Sequence, residues 1–181
     1  RMMGGSISVK SKPGKGSQVT VTIILRRQNP AAHCEHRQKP SSDDLRDISF
    51  QGCRILLVED NELNQEIAME LIGETGATVE CASDGRQGLR RFADMPEGYY
   101  DLILMDIQMP VMNGFEATRA IRKLPRADAA SIPILALSAN ASPEDIAASR
   151  ESGMNGHLAK PLDIPQLMQQ MNYWFHTRRL C

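Results

Sequence analysis

This 181-residue sequence is poor in cysteine and aromatic residues and lacks any long apolar segment, and these scarcities exclude several classes of protein. Its four cysteines are scattered without C-x-x-C spacing, which is typical of unpaired thiols in a reducing cytosol and not of a disulfide framework. No apolar run approaches the roughly 20 residues that a membrane-spanning helix needs, and no signal-peptide pattern is visible. We therefore expect a soluble, cytoplasmic polypeptide.

A strong net charge is also lacking, since the formal charge is only −1, but the charges are unevenly distributed. Residues 1–27 contain six basic residues and no acidic residue, whereas residues 53–181 contain 12 basic and 18 acidic residues. An acidic segment without a basic stripe binds nucleic acid poorly, because affinity for the backbone depends on neutralised phosphates. The charge pattern therefore argues against nucleic acid as a partner.

The sequence does contain four short apolar runs, each followed at once by a charged or hydroxyl side chain. The runs are Ile55–Val58, Leu102–Met105, Ile134–Leu137 and Leu158–Ala159, and the residues after them are Glu59 with Asp60, Asp106, Ser138 and Lys160. Such runs, separated by helix-like stretches, are typical of parallel strands buried on both faces. Because ligands bind beyond the carboxyl ends of parallel strands, we expect the five side chains to meet in one crevice.

The chemistry of these five residues points to a metal ion and a phosphoryl group. Two carboxylates about 4 Å apart repel each other by about 4 kcal/mol at an effective dielectric near 20, so three of them need a cation. Carboxylate oxygens suit Mg²⁺. The Asp106 carboxylate can act as a nucleophile that forms an aspartyl phosphate, and Lys160 and Ser138 can hold the phosphoryl oxygens.

Four segments around these residues resemble the receiver domain of two-component signalling. They are Leu57-Val58-Glu59-Asp60-Asn61, Met105-Asp106-Ile107-Gln108-Met109-Pro110-Val111-Met112-Asn113-Gly114, Ala136-Leu137-Ser138-Ala139 and Ala159-Lys160-Pro161-Leu162. The resemblance extends from about Cys53 to Phe175. It implies an α/β fold, with a doubly wound sheet of five parallel strands flanked by five helices in the flavodoxin-like order.

The resemblance also implies roles for individual residues in the metal site. Asp106 resembles the phosphoryl acceptor, and Glu59 with Asp60 resembles the acidic pair that holds Mg²⁺ together with Asp106. The backbone carbonyl of Gln108 is implied as a further ligand. The implied phosphoryl donor is a phosphohistidine, either on a histidine phosphotransfer domain or on the parent kinase itself.

Two implied roles concern the response to phosphorylation, and both positions depart from the common family pattern. Ser138 resembles the switch hydroxyl, although threonine is commoner there, and Lys160 resembles the lysine that contacts the phosphoryl group. His157 lies three residues before that lysine, where the family commonly has tyrosine or phenylalanine. We interpret His157 either as a space-filling substitution or as a switch residue with altered pH sensitivity.

The first 27 residues carry a second resemblance, to the closing hairpin of a histidine kinase ATP-binding domain. The segments Met3–Val9, Ser11–Ser17 and Val19–Ile23 carry it. The nucleotide-binding motifs of that family and the G-x-x-x-x-G-K-[ST] loop are absent, so we expect no ATP binding. This resemblance implies a C-terminal piece of a hybrid sensor kinase whose parent is membrane-anchored, with no DNA-binding output domain and with signal output through another protein.

The predicted organisation is a kinase remnant in residues 1–27, an exposed linker in residues 28–52 and a receiver in residues 53–181. The linker segment His33-Cys34-Glu35-His36 has metal-ligating side chains, but no second ligand pair lies nearby in sequence. We therefore expect no structural metal site there.

The predicted helices of the receiver begin at Asn61, at Gly85, at Asn113-Gly114, at Ser142 and after Asp163. In the first of them, Leu63, Ile67, Leu71 and Ile72 are expected to face the core. The fourth has little to bury beyond Ile146 and Ala147, so we expect it to be loosely held and free to move.

Two other functions remain open from the residues alone. A phosphohydrolase acting through aspartyl phosphate would use the same residue types, but it usually has a second acid two residues after the nucleophile, where this chain has Gln108. A purely structural or nucleotide-binding doubly wound domain is disfavoured, because Glu59 and Asp60 after the first strand would repel the phosphates of a nucleotide. The amides of Gln108 and Asn140 can orient a hydrolytic water, so self-dephosphorylation also remains open.

Overall fold

The computed structural model describes residues 6–12, 16–22, 49–139 and 142–179. The chain divides into two compact units, one before Pro40 and a larger one that begins at Pro40. In the smaller unit, β1 (Ser6–Lys12) and β2 (Gly16–Thr22) form an antiparallel hairpin in which Val9 pairs with Val19. Both valines are more than 60% exposed. The hairpin agrees with the secondary structure expected for residues 1–27, whereas its origin in a kinase stays a prediction.

The larger unit alternates strands and helices five times. Its elements are β3 (Arg54–Val58), α1 (Glu62–Gly73), β4 (Thr78–Ala82), α2 (Gly85–Asp94), β5 (Leu102–Asp106), α3 (Gly114–Arg122), β6 (Ile134–Ser138), α4 (Pro143–Ser152), β7 (Gly156–Ala159) and α5 (Ile164–Arg179). The five strands form one parallel sheet in the order β4-β3-β5-β6-β7. The predicted fold class is therefore confirmed.

The apolar runs are buried because helices cover both faces of the sheet. Every residue of β5 and β6 is buried. One core cluster joins α1 and α5 to alternate residues of the strands, and the second joins α2 and α3 to the remaining residues. Because successive strand residues point to opposite faces, a strand between two helical layers needs apolar side chains throughout.

Side-chain caps begin four of the helices close to the carboxyl ends of the strands. Asn61 accepts hydrogen bonds from the backbone of α1, Asp84 does so for α2, and Asn113 forms a capping box at α3. Ser142 caps α4, with Pro143 in the first helical position. These caps satisfy backbone N–H groups that have no partner inside the helix. The predicted starts of all four helices are confirmed.

The predicted burial of α1 is wrong in part. Leu63 is 62% exposed and Ile67 is 44% exposed, whereas Ala68 and Ile72 face the core. Ala68 and Ile72 are four residues apart, so they form one stripe, and Leu63 and Ile67 form a parallel stripe one residue earlier. The helix is rotated so that its larger apolar stripe lies on the surface.

Helix α4 packs through polar contacts. Its buried residues are Ser149 and Ser152, and the Arg122 side chain of α3 secures its carboxyl end by donating to the Gly153 carbonyl (3.0 Å). Arg122 also donates to the Asn155 side chain (2.7 Å). The expected scarcity of buried apolar side chains is confirmed, while the mobility of α4 stays a prediction. Over the described part of the chain, no helix is long and apolar enough to span a membrane.

Candidate functional site

Three carboxylates meet where strands β3 and β5 end. Glu59 and Asp60 directly follow β3, and Asp106 is the last residue of β5, which pairs with β3 in parallel. One oxygen from each of the three lies within 4.8 Å of the other two. Glu59 and Asp106 are buried, with exposed fractions of 2% and 4%, and Asp60 is exposed. The crevice expected from the sequence is therefore present.

Lys160 connects two of these carboxylates. Its Nζ lies 2.6 Å from Asp106 Oδ2 and 2.6 Å from Glu59 Oε2. The lysine directly follows β7, and its backbone N–H donates to the Ser138 carbonyl at the end of β6 (2.7 Å). Two buried negative charges thus share one ammonium group, which offsets the cost of removing them from water.

Burial and charge pairing act in opposite directions on these groups. Burial is the largest influence on the Asp106 carboxyl and raises its pKa, helped by the charge of Glu59, although Lys160 opposes the rise. Burial alone would lower the pKa of the Lys160 ammonium, but its hydrogen bonds and charge contacts with Asp106 and Glu59 outweigh burial and raise it. Lys160 therefore stays charged at neutral pH and provides a fixed cation beside Asp106.

Ser138 lies beside this cluster, where strand β6 ends. Leu137 is paired with Asp106, so Ser138 lies one position further along the carboxyl edge. Its Oγ lies 2.6 Å from His157 Nε2, and His157 Nδ1 lies 3.4 Å from Ser149 Oγ of α4. The two residues with predicted switch roles therefore contact each other.

Gln108 contacts the same carboxylate from the loop after β5. Its backbone N–H donates to Asp106 Oδ1 (3.2 Å). The implied use of its carbonyl as a metal ligand stays a prediction. Asn140 and the segment from His33 to His36 lie outside the described residues.

Two amide side chains at this site are functional candidates that the sequence motifs did not indicate. Asn64 Nδ2 donates to Glu59 Oε1 (2.8 Å), and Gln65 Nε2 donates to the Glu59 backbone carbonyl (2.6 Å). Both residues lie in the first turn of α1, where side chains point back toward the amino end of the helix. The sequence signal that could have indicated them is the pair Asn64-Gln65, which begins five residues after Glu59, the acidic residue that follows β3.

An apolar cavity of about 380 Å³ adjoins the carboxylates. Ile67 and Ala68 of α1 line it together with Pro161 and Leu162, which follow Lys160. Glu59 and Lys160 also belong to its lining. The site thus combines a charged crevice with an accessible apolar surface along α1.

The donor set fits a magnesium ion. Glu59, Asp60 and Asp106 offer hard oxygen atoms in one cluster, and Mg²⁺ prefers such ligands with water in its remaining positions. Among the described residues, this group contains no cysteine or histidine that would favour zinc.

The chain is similar to known proteins along most of its length. The family model described as "Response regulator receiver domain" matches residues 55–172. Aerobic respiration control sensor protein ArcB of Escherichia coli (strain K12) is 35% identical over 177 residues, which cover 97% of this chain and 21% of ArcB. Autoinducer 2 sensor kinase/phosphatase LuxQ of Vibrio vulnificus (strain YJ016) is 33% identical, covering 96% of this chain and 20% of LuxQ. The chain therefore spans about a fifth of the length of these curated relatives.

Two solved structures are similar to the larger unit. The receiver domain of the sensor histidine kinase PA1611 from Pseudomonas aeruginosa PAO1 has a TM-score of 0.61 and 38% identity, covering 68% of this chain and 97% of that chain. That structure has a magnesium ion coordinated in its active site cleft. The co-crystal structure of the Saccharomyces cerevisiae histidine phosphotransfer protein Ypd1 with the receiver domain of Ssk1 has a TM-score of 0.60 and 29% identity, covering 67% of this chain and 88% of that chain.

Proposed function

Because the chain belongs to the response regulator receiver domain family, of the kind found in hybrid histidine kinases and phosphorelay proteins, we propose that Asp106 accepts a phosphoryl group from a phosphohistidine. One observation carries this assignment: Asp106 is a buried carboxylate at the end of β5, in contact with a lysine and beside two further acids. A buried carboxylate in contact with a cation is well positioned to attack a phosphoryl group, because the cation also offsets the negative charge of that group.

In the proposed reaction an Asp106 oxygen attacks phosphorus. The new O–P bond forms with an electron pair from the carboxylate, and the P–N bond to the donor imidazole breaks with its electron pair left on nitrogen. Lys160 stabilises the charge that spreads over the phosphoryl oxygens, since its ammonium already contacts Asp106. Ser138 then supplies a hydroxyl donor to the phosphoryl group.

We also propose that Glu59, Asp60, Asp106 and the Gln108 carbonyl hold Mg²⁺. When bound, the ion supplies positive charge that offsets both the clustered carboxylates and the phosphoryl oxygens. Asn64 and Lys160 hold the two Glu59 oxygens in fixed positions, so the carboxylate is oriented before any ligand arrives. A hydrolase function is less well supported, because Gln108 carries an amide that cannot act as the acid for a leaving group.

The role of Asn64 leads to a prediction about metal affinity. Asn64→Ala removes the hydrogen bond that orients Glu59, and loss of such supporting bonds typically weakens metal binding about 10- to 100-fold. We expect the Mg²⁺ dissociation constant to rise about tenfold, measured by calorimetric or NMR titration without any phosphoryl donor. Glu66→Gln is the matched control, because Glu66 is an exposed residue of the same helix and lies outside the acidic cluster. An unchanged constant in Asn64→Ala would show that Glu59 needs no support from α1.

The proposed partner is a histidine phosphotransfer domain, and we place its docking surface on α1 and the turn after β7. Leu63 and Ile67 present apolar side chains there, next to the cavity lined by Pro161 and Leu162. A donor histidine must approach Asp106 from the same edge of the sheet. A complex between a receiver and such a protein exists for Ssk1 and Ypd1, which supports this kind of partner.

A surface substitution tests this placement. If Ile67 is a central anchor of the docking surface, Ile67→Ser should slow phosphoryl transfer from a purified phosphotransfer domain at least about tenfold, because truncating such a hot-spot residue costs about 2 kcal/mol or more of binding. Tyr173→Ser is the control, since Tyr173 is 57% exposed but lies on α5. Uptake of phosphate from a small-molecule donor should stay unchanged in both variants. Equal transfer to the wild type and to Ile67→Ser would exclude α1 as the docking surface.

For the rest of the chain we propose that residues 1–27 are the closing hairpin of a kinase ATP-binding domain, that residues 28–52 are a linker, and that residues 53–181 are the receiver. The similarity to ArcB over 97% of this chain supports a hybrid kinase parent, which we propose is membrane-anchored with this region in the cytoplasm.

A further inference from the structure

His157 occupies a position in which both of its ring nitrogens have polar partners. Nε2 lies 2.6 Å from Ser138 Oγ at the carboxyl edge, and Nδ1 lies 3.4 Å from Ser149 Oγ in α4. The ring therefore lies between the predicted switch hydroxyl and a helix that packs through polar contacts. The first contact is short, and the second is at the long end of the hydrogen-bond range.

The direction of the second contact follows from the hydroxyl of Ser149. A serine hydroxyl has a single proton, and Ser149 donates it to the Asp145 backbone carbonyl (2.8 Å). Toward His157, Ser149 can then act only as an acceptor. The favoured neutral ring is therefore the one with its proton on Nδ1, which leaves Nε2 as an acceptor.

The tautomer of the ring also sets the direction of the hydrogen bond between His157 Nε2 and Ser138 Oγ. When Nε2 is an acceptor, Ser138 must donate its hydroxyl proton to the ring and cannot donate it toward Asp106. When the ring gains a second proton on Nε2, it becomes the donor, and the Ser138 oxygen accepts. The Ser138 proton can then be donated to a phosphoryl oxygen while the contact with His157 is kept.

We propose that His157 is a positioning residue whose ring charge sets the direction of the Ser138 hydroxyl, so that phosphorylation of Asp106 is coupled to uptake of one proton from solvent. The proposal rests on Asp106 being the phosphoryl acceptor. The phosphoryl group adds about two negative charges, which favour a cationic neighbour. By linkage, the protonated ring favours the phosphorylated state by the same factor.

The other ionisable groups near the ring have their own contacts. On α4 the Asp145 carboxylate accepts from Ser142, and Glu144, Arg150 and Glu151 are exposed. Strand β6 has no ionisable side chain, and Tyr173 is the ionisable residue among the described side chains of α5. Lys160 contacts Asp106 and Glu59, and Arg122 binds the residues after α4. These groups are common to every variant below, so comparison between variants removes their contribution.

The test measures the affinity for beryllofluoride, a phosphoryl mimic, at saturating Mg²⁺ and at pH 6 and pH 8. Wild type is compared with His157→Phe, which cannot titrate. The ratio of the wild-type affinity to the His157→Phe affinity should be about tenfold larger at pH 6 than at pH 8. One linked proton can change an affinity by at most about tenfold per pH unit, so this increase is within the limit for two pH units. An identical ratio at both pH values would overturn the proposal. Absence of beryllofluoride binding in every protein would instead overturn the assignment of Asp106.

Two further variants separate proton coupling from simple loss of packing. Ser149→Ala keeps the ring but removes the acceptor at Nδ1, so the neutral ring can carry its proton on Nε2 and donate to Ser138 without proton uptake. The increase in its affinity ratio to His157→Phe between pH 8 and pH 6 should be smaller than in the wild type, because only the attraction between the phosphoryl charge and the ring remains. His157→Gln offers an amide donor without a charge, so its affinity ratio to His157→Phe should be the same at pH 6 and pH 8.

Nitrogen NMR of the histidine ring provides a direct readout, with the His157 signals assigned by their loss in His157→Gln. We expect the tautomer protonated on Nδ1 in the free wild type at pH 8, and a larger imidazolium fraction after beryllofluoride is added. The tautomer protonated on Nε2 in the free protein would contradict the proposal.

Discussion

Asp106→Asn should abolish phosphoryl uptake, with incorporation reduced to the background of an unreactive protein. The amide that replaces the carboxylate has no electron pair of comparable nucleophilicity, and it also removes one of the three carboxylates at the metal cluster. Intact-protein mass spectrometry after incubation with Mg²⁺ and a small phosphoryl donor measures the effect. The wild type should gain the mass of a single phosphoryl group.

Asp94→Asn is the matched control for this experiment. Asp94 is an exposed residue at the end of α2, so the same chemical change is made away from the crevice. It should take up phosphate like the wild type. If Asp106→Asn also gained a phosphoryl group at the wild-type rate, another residue would be the acceptor, and the proposed function would be wrong.

Gly114→Ala should lower the free energy of unfolding by about 3 kcal/mol, near the upper end of the usual cost of overpacking. Gly114 is the first residue of α3, and its N–H donates to the Ile107 carbonyl (3.0 Å). A Cβ at this position would collide with the Asp106 carbonyl oxygen and lie 3.0 Å from the Asp106 carbonyl carbon. These atoms belong to the backbone, so they cannot rotate away as the end of a flexible side chain could.

Urea denaturation of the variant gives this free energy, and Gly73→Ala is its control. Gly73 is the last residue of α1 and is exposed, and an added Cβ would have no neighbouring atom within 4 Å. That substitution should raise the free energy of unfolding by about 0.5 kcal/mol, because alanine reduces the conformational freedom of the unfolded chain. Similar stabilities for the two variants would show that the loop after β5 adapts to a larger residue.

The convergence of the site residues could be predicted because it depends on the order of the strands and helices along the chain. Asp106, Ser138 and Lys160 each end an apolar run, and parallel strands bring their carboxyl ends to one edge whatever the details of packing. The helix starts were predictable for a similar reason, since the Asn61 and Ser142 caps act on backbone groups two or three residues away.

The missed features depend on how separate elements are rotated against each other. The surface position of Leu63 and Ile67 reflects the rotation of α1 about its axis, and apolar spacing alone fits more than one rotation. The contact of Asn64 with Glu59 follows from that same rotation. The approach of Ser149 to His157 requires α4 and β7 to pack first, and short-range sequence signals carry no information about that contact.

The polar packing of α4 has a thermodynamic consequence for any signal that this helix transmits. Its buried side chains are Ser149 and Ser152, so a displacement of α4 would hydrate little apolar surface of the helix itself. Heat capacity rises mainly when apolar groups are hydrated, and exposed apolar patches are what make proteins associate nonspecifically. A shift of α4 should therefore change the heat capacity less than the shift of a helix whose buried face is apolar.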